Sequence, residues 1–111
     1  MAFKTYRKWE VVLVDLNHVK GSEMSKVRPG LIISPNVANQ FLQTVIIAPL
    51  TSTIRIIPTR MVTQFNNRES EICFDQMKAV DKGRIIKLLG LLDPTERKQV
   101  NAILANMFSE L

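Results

Sequence analysis

The sequence predicts a small, mainly β domain, a compact barrel or sandwich, closed by one α-helix at its C-terminal end. Three observations carry this expectation. Short apolar runs rich in Val and Ile recur along the chain, a composition that suits a pleated, largely buried surface. Turn-forming Gly, Pro, Asn and Asp separate these runs at close, regular intervals, as in small all-β folds. The last stretch changes period, with Val100, Ile103, Leu104, Met107, Phe108 and Leu111 on one helical face.

In chain order, Glu10–Leu16 (E-V-V-L-V-D-L) reads as a β-branched strand. A polar loop, Asn17–Lys26, follows and ends on Val27-Arg28-Pro29. Pro29 fixes its own φ and drives Arg28 toward an extended conformation. A permanently charged guanidinium therefore stands at the mouth of the next strand with little backbone freedom, suited to gripping a phosphate. That strand, Gly30–Ser34, is continuously apolar and bounded by Pro29 and Pro35. Asn36–Leu42 suits a helical turn, and Thr44–Leu50 a third strand whose Pro49 points to an edge or a bulge near its end. Thr51-Ser52-Thr53 then places hydroxyls where this strand gives way to a turn.

Within Ile54–Thr63, Thr59–Val62 is a further strand, entered through Pro58. Gln64–Ser70 carries a two-asparagine turn, and Glu71–Phe74 opens a strand that runs on toward Val80. Asp81–Arg84 is a turn or a single helical turn, and Ile85–Leu92 the last strand. Asp93-Pro94-Thr95-Glu96 offers an N-cap, a proline at N1 and a glutamate at N3, a capping-box arrangement that starts the closing helix.

The 111 residues suffice for a single domain, expected over 1–111, with a core of its own. One cysteine, Cys73, leaves no partner for an internal disulfide. No apolar run resembles a secretory signal or reaches membrane-spanning length, so a cytoplasmic protein is expected. The net charge of +5 favours polyanionic partners, nucleic acid first. The basic residues are scattered rather than gathered into a tail, which suits a folded surface.

One histidine, one cysteine and no carboxylate cluster at ligand spacing exclude a structural zinc site and argue against a metal-dependent nuclease. No Gly-rich phosphate loop is present, and no cofactor is expected. What remains is arginine, hydroxyls and isolated carboxylates. That set can cleave RNA, because RNA carries its own nucleophile in the 2′-hydroxyl. The enzyme has to align that oxygen with the phosphorus and the leaving 5′-oxygen, and to neutralise the charge building on the phosphoryl oxygens. Arg28 and the Thr51 and Ser52 hydroxyls can bind the phosphate, and Glu23 can accept the 2′-hydroxyl proton.

Gly21–Asn36 (G-S-E-M-S-K-V-R-P-G-L-I-I-S-P-N) resembles the signature of the MazF/PemK (Kid-like) family, the endoribonuclease toxins, or mRNA interferases, of bacterial type II toxin–antitoxin pairs. The resemblance extends to Glu10–Leu16, Ala48-Pro49-Leu50-Thr51-Ser52, Asp75-Gln76, Ala79-Val80-Asp81 and the closing helix, covering essentially the whole chain. It implies an SH3-like small β-barrel with a C-terminal α-helix, working as a homodimer. It implies sequence-selective, metal-independent cleavage of single-stranded RNA by 2′-hydroxyl attack. It also implies a cognate MazE-like antitoxin, whose acidic segment occupies the basic cleft. The family's loop arginine maps onto Arg28 and its threonine onto Thr51, the catalytic pair, with Arg28 stabilising the transition state.

One branch of the family uses a loop histidine and an Arg-x-Asp set in a later strand. Here those positions read Ser22, Cys73 and Asp75. With that arginine and histidine missing, Asp75 and Gln76 are assigned to base recognition or to strand structure, and Ser22, Lys20, His18 and Ser52 stand with them as candidate substrate-binding residues. Trp9 and His18 stand where the family often has glycine and proline. Two other readings use the same barrel without its chemistry: a toxin that binds a protein target such as DNA gyrase, and an SH3-like module that binds RNA without cutting it. Arg28 together with Thr51 discriminates, since a pure binder needs no such pair. Cys73 also reads as a small core residue. Arg55, Arg60, Lys82 and Arg84 line an RNA groove in one reading and a solvated face in the other.

Overall fold

A computed structural model describes residues 5–17 and 26–109 of the chain. His18, Lys20, Ser22 and Glu23 lie outside the described residues, as does Leu111. The elements are β1 (Glu10–Asp15), β2 (Val27–Ile32), α1 (Asn36–Phe41), β3 (Thr44–Thr51), β4 (Arg60–Phe65), β5 (Arg68–Cys73), β6 (Lys78–Asp81), β7 (Ile85–Leu91) and α2 (Arg97–Met107). Single 3₁₀ turns at Phe74–Gln76, Lys82–Arg84 and Pro94–Glu96 link the later elements.

All the strands pair antiparallel in one seven-stranded sheet of order β4-β5-β3-β2-β1-β7, with β6 also on β3. Strand β3 is its hub. It holds β2 on one flank, and on the other it pairs first with β6, at Thr44–Ile47, and then with β5, at Leu50–Thr51. The result is a curled, half-barrel sheet with a C-terminal helix, as the SH3-like expectation required.

Pro49 lies in this central strand, opposite Gly30 of β2, and not at an edge. The Ile46 carbonyl accepts the Ile33 N–H from the β2 side. The two-residue period of a strand then turns Pro49 to the opposite flank. There Ala48 and Pro49 fall between the β6 and β5 pairings. A residue without an N–H interrupts no ladder at that gap.

The continuous apolar runs have a clear cause: the central strands are buried on both faces. Val11, Leu31, Ala48 and Leu50 join one cluster with Met61, Ile72, Phe74, Leu92 and Val100. Val12, Val14, Ile32, Val45 and Ile47 join a second with Tyr6, Val80 and Ile85. A strand covered on both sides loses its alternation and reads as an unbroken hydrophobic stretch.

Asn66 and Asn67 both adopt left-handed φ, 51° and 61°, and join β4 to β5 in a two-residue hairpin whose first closed pair is Phe65–Arg68. Asparagine tolerates that region, and such turns match the twist of the strands they join. The strands therefore extend further into Gln64–Ser70 than the turn composition suggested. The strand expected from Glu71 toward Val80 is broken instead at the 3₁₀ turn Phe74–Gln76. Phe74 is fully buried in the first cluster, and after this turn β6 pairs separately with β3.

The capping box is half formed. Asp93 accepts the Thr95 N–H at 3.0 Å and its hydroxyl at 2.9 Å. Glu96 instead accepts the Thr63 hydroxyl at 2.7 Å, tying the start of α2 to β4. The helical stripe also divides: Val100 is fully buried, Ile103, Leu104 and Met107 pack partly against the same cluster, and Phe108 is 72% exposed. Trp9, in the turn before β1, takes a left-handed φ of 80°. Its N–H donates to Ile32 and its carbonyl accepts from Leu92, both at 2.9 Å. The Lys8 ammonium and the Arg97 guanidinium lie 4.9 and 5.4 Å from its ring. No helix among the described residues is long and apolar enough to cross a membrane.

Val100→Ala should remove about 2 kcal/mol of stability, the scale of a large-to-small core change, while Phe108→Ala should change it by less than about 0.5 kcal/mol. Urea-unfolding midpoints of the two variants test this division of the helix.

Candidate functional site

The pairs Leu31–Ala48 and Gly30–Pro49 set the register of β2 against β3. Carried two residues further, that register brings Arg28 beside Thr51. Gly30 permits this close approach, since a Cβ there would come within 3.2 Å of the Ile47 side chain. Arg28 is thus a strand residue, paired with Val14 of β1, and β2 begins ahead of the Gly30 start expected from its apolar run. The proline that was to end the loop lies inside the strand, opposite Leu13.

Arg28 and Thr51 line a common pocket of about 290 Å³ with Thr53, Arg55, Arg60, Cys73 and Gln76. Three arginines therefore line one cavity. Arg28 and Arg55 are exposed, and their side chains make no hydrogen bond or ion pair among the described residues. Both are available to an anion.

Arg60 is fully engaged. It donates from Nη1 to Glu71 Oε1 at 3.3 Å, from Nε to Asp75 Oδ1 at 3.0 Å and from Nη2 to Asp75 Oδ2 at 3.2 Å. Its pKa is raised, first by the hydrogen bond to Asp75. Glu71 is fully buried. Its carboxylate also accepts the backbone N–H of Arg55, at 3.2 and 3.3 Å, and of Ile56, at 2.9 Å. Burial alone pushes the Glu71 pKa up; these N–H donors and Arg60 outweigh it and leave the pKa below the ordinary value.

The loop so held contains a strained residue. Ile56 sits at φ 55°, a conformation that costs a β-branched residue on the order of 1–3 kcal/mol. Its N–H donating to Glu71 holds it there.

Several sequence expectations meet at this pocket. Arg28, Thr51 and Gln76 line it, and Ser52 lines a neighbouring pocket that shares Arg28 and Thr51. Asp75 is exposed beside it, bound by Arg60 and by the Thr59 hydroxyl at 3.2 Å, with its pKa lowered chiefly by Arg60. Cys73 is buried, as a core residue would be, and burial raises its thiol pKa. Of the four basic residues considered for a groove, Arg55 and Arg60 line the pocket. Lys82 instead donates to the Asn39 carbonyl, and Arg84 to the carbonyls of Asp15 and Asn17.

Arg60 and Glu71 are the residues that sequence reasoning undervalued. The strand position that reads Cys73 carries no guanidinium, yet Arg60 pairs directly with Cys73 and supplies one to Asp75 from the neighbouring strand. Counting outward from a two-residue Asn66-Asn67 turn gives that pairing from sequence alone. Among the described residues, no three His, Cys, Asp or Glu converge as metal ligands would.

This fold has counterparts. Residues 7–108 match the model of the PemK-like, MazF-like toxins of type II toxin–antitoxin systems. An endoribonuclease MazF of Staphylococcus saprophyticus is 34% identical over 101 residues, 86% of this chain and 84% of that protein. The chain belongs to the PemK/MazF toxin family. A mycobacterial endoribonuclease solved with its cognate antitoxin superposes with a TM-score of 0.79 at 23% identity, covering 96% of this chain and 99% of that one. A MazF from a Deinococcus radiodurans MazE–MazF structure superposes at 0.77 and 15% identity, covering 98% and 100%. Both share its fold.

Both carboxyl groups, Glu71 and Asp75, sit below their ordinary pKa values of 4.5 and 3.8 in the folded state. Their stabilisation is therefore complete above those values and is lost as pH falls through the folded-state pKa. Unfolding free energy should stay level near neutrality and fall below about pH 4.5. Glu71→Gln should be less stable at pH 7 and lose less on acidification, so that the two curves converge at low pH. Chemical denaturation across pH 3–7 measures both.

Proposed function

We propose that this MazF-type endoribonuclease toxin cuts single-stranded RNA, mRNA in the cell, at a short preferred sequence by metal-independent attack of the 2′-hydroxyl. The observation that carries this is the convergence of the Arg28 guanidinium, which has no ion-pair partner among the described residues, and the Thr51 hydroxyl on one open basic pocket. Arg28 grips the non-bridging phosphoryl oxygens, whose charge grows in the transition state, and Thr51 donates a hydrogen bond that fixes the phosphate's orientation. Holding the phosphodiester in line lets the neighbouring 2′-oxygen displace the 5′-oxygen without a metal.

Glu23, which precedes β2 in the sequence, takes the 2′-hydroxyl proton in this reading. Asp75 suits that task poorly, because Arg60 occupies both its oxygens and holds it ionised. Arg28 stabilises charge rather than donating a proton, since a guanidinium is a reluctant acid. Thr53, Arg55, Gln76 and Asp75, with His18, Lys20 and Ser22, contact the flanking nucleotides and set sequence preference.

The partners follow from the surface. A cognate, MazE-like antitoxin presents an acidic, apolar, partly disordered segment to the pocket, covers Arg28 and excludes RNA; the mycobacterial and Deinococcus relatives were solved with antitoxins. A second copy of the chain pairs along β7, which ends the sheet order and exposes Ile86, Leu88 and Leu91.

Arg28→Ala and Thr51→Ala should each lower RNA cleavage by about a hundredfold or more, with circular dichroism unchanged. Cleavage should persist in EDTA and leave 2′,3′-cyclic phosphate or 3′-phosphate ends. Full activity in Arg28→Ala, or loss of activity to EDTA, overturns the mechanism. An acidic antitoxin peptide should compete with RNA for the wild-type protein, and more weakly as salt rises.

A further inference from the structure

We infer that the groove continues past Arg28 and Thr51 into a second pocket that holds the base of a nucleotide flanking the scissile phosphate. This rests on the nuclease reading above and extends it to a site on the β4–β5 hairpin. The second pocket has a volume of about 320 Å³ and shares Arg28, Leu50 and Thr51 with the first. The catalytic pair is thus a common wall between two cavities. A phosphate held on that wall leaves one neighbouring nucleotide on each side.

The two cavities differ in chemistry. The first is dominated by Arg28, Arg55 and Arg60 with Thr53 and Gln76. The second sets the apolar surfaces of Pro29, Phe65 and Leu89 beside Asn66, Arg68 and Glu69. An aromatic ring and an aliphatic wall flanked by a guanidinium suit an unstacked base attached to a phosphate. Asn66 has a carboxamide that can read a base edge, and Glu69 can accept a hydrogen bond from an exocyclic amine.

The pocket is preorganised. Phe65 is half-buried, and its ring lies so close to Gly90 that a Cβ there would meet it at 3.1 Å. The two-residue turn fixes Phe65 opposite Arg68, with Asn66 in the turn itself. Among the described residues, neither Arg68 nor the Asn66 carboxamide has a hydrogen-bond or ion-pair partner. A glycine would serve the turn as well as Asn66 does, so the backbone gives the carboxamide no task.

The test compares single-stranded RNA oligonucleotides of one sequence, shortened one nucleotide at a time on either side of the cut. Wild-type kcat/KM should fall about tenfold when the nucleotide that fills this pocket is removed. Phe65→Leu and Arg68→Gln should each lower kcat/KM on the long RNA by a similar factor, mainly through KM, and abolish the length dependence. Asn66→Gly, which keeps the left-handed turn, should alter base preference at that one position. Thermal melting screens all three for folding.

Binding of the same RNAs to Arg28→Ala, read by fluorescence anisotropy, separates the two proposals. Length-dependent binding that Arg68→Gln removes, with no cutting by wild type, supports the subsite and ends the nuclease reading. Cutting that is insensitive to length and to all three variants ends the subsite and leaves the nuclease. Variants that lose affinity only for an acidic antitoxin peptide make the pocket a protein-binding surface, which also overturns the inference.

Discussion

The functional end of this molecule depends on one buried carboxylate. Glu71 holds Arg60 with one oxygen and the backbone of the β3–β4 loop with both. A charge without solvent is tolerable only when its partners are complete, and removing one partner strands the other. Arg60 in turn orients Asp75. Loop, strand pair and pocket wall are therefore one electrostatic unit. The strained backbone at Ile56 is part of it: local geometry opposes that conformation, and Glu71 imposes it.

Such a unit makes physical sense beside a basic pocket. Three clustered guanidiniums would repel one another and loosen the loop that carries one of them. Here Arg60 is neutralised by two carboxylates, while Arg28 and Arg55 form no ion pair among the described residues and can meet an incoming polyanion. The pocket keeps its positive character, and its scaffold is not destabilised by it. Arg28 gains further rigidity from its place inside a paired strand, since a side chain on a sheet is better fixed than one on a loop.

Much of this was readable from residues. The apolar runs mark β1, β2, β3 and β7, the Asp93 signal starts the closing helix, and Arg28 and Thr51 both reach the pocket. What escaped was long-range. A single strand cannot show that β3 serves three partners, so Pro49 reads as an edge when it sits at a partner switch. The run from Glu71 to Val80 hides its break because Phe74 looks like any strand residue until the core claims it. Arg60 looks like a surface arginine until the hairpin register sets it opposite Cys73. Glu96 has the spacing of a capping residue, and only the tertiary fold offers it Thr63 instead.

The turn at Trp9 has a practical consequence. The chain's one indole lies between two cations where β1 meets α2, and it lines neither of the two cavities that flank Thr51. Its emission is an optical gauge of whether the C-terminal helix is seated. It will register detachment of α2 and stay quiet while the cavities fill.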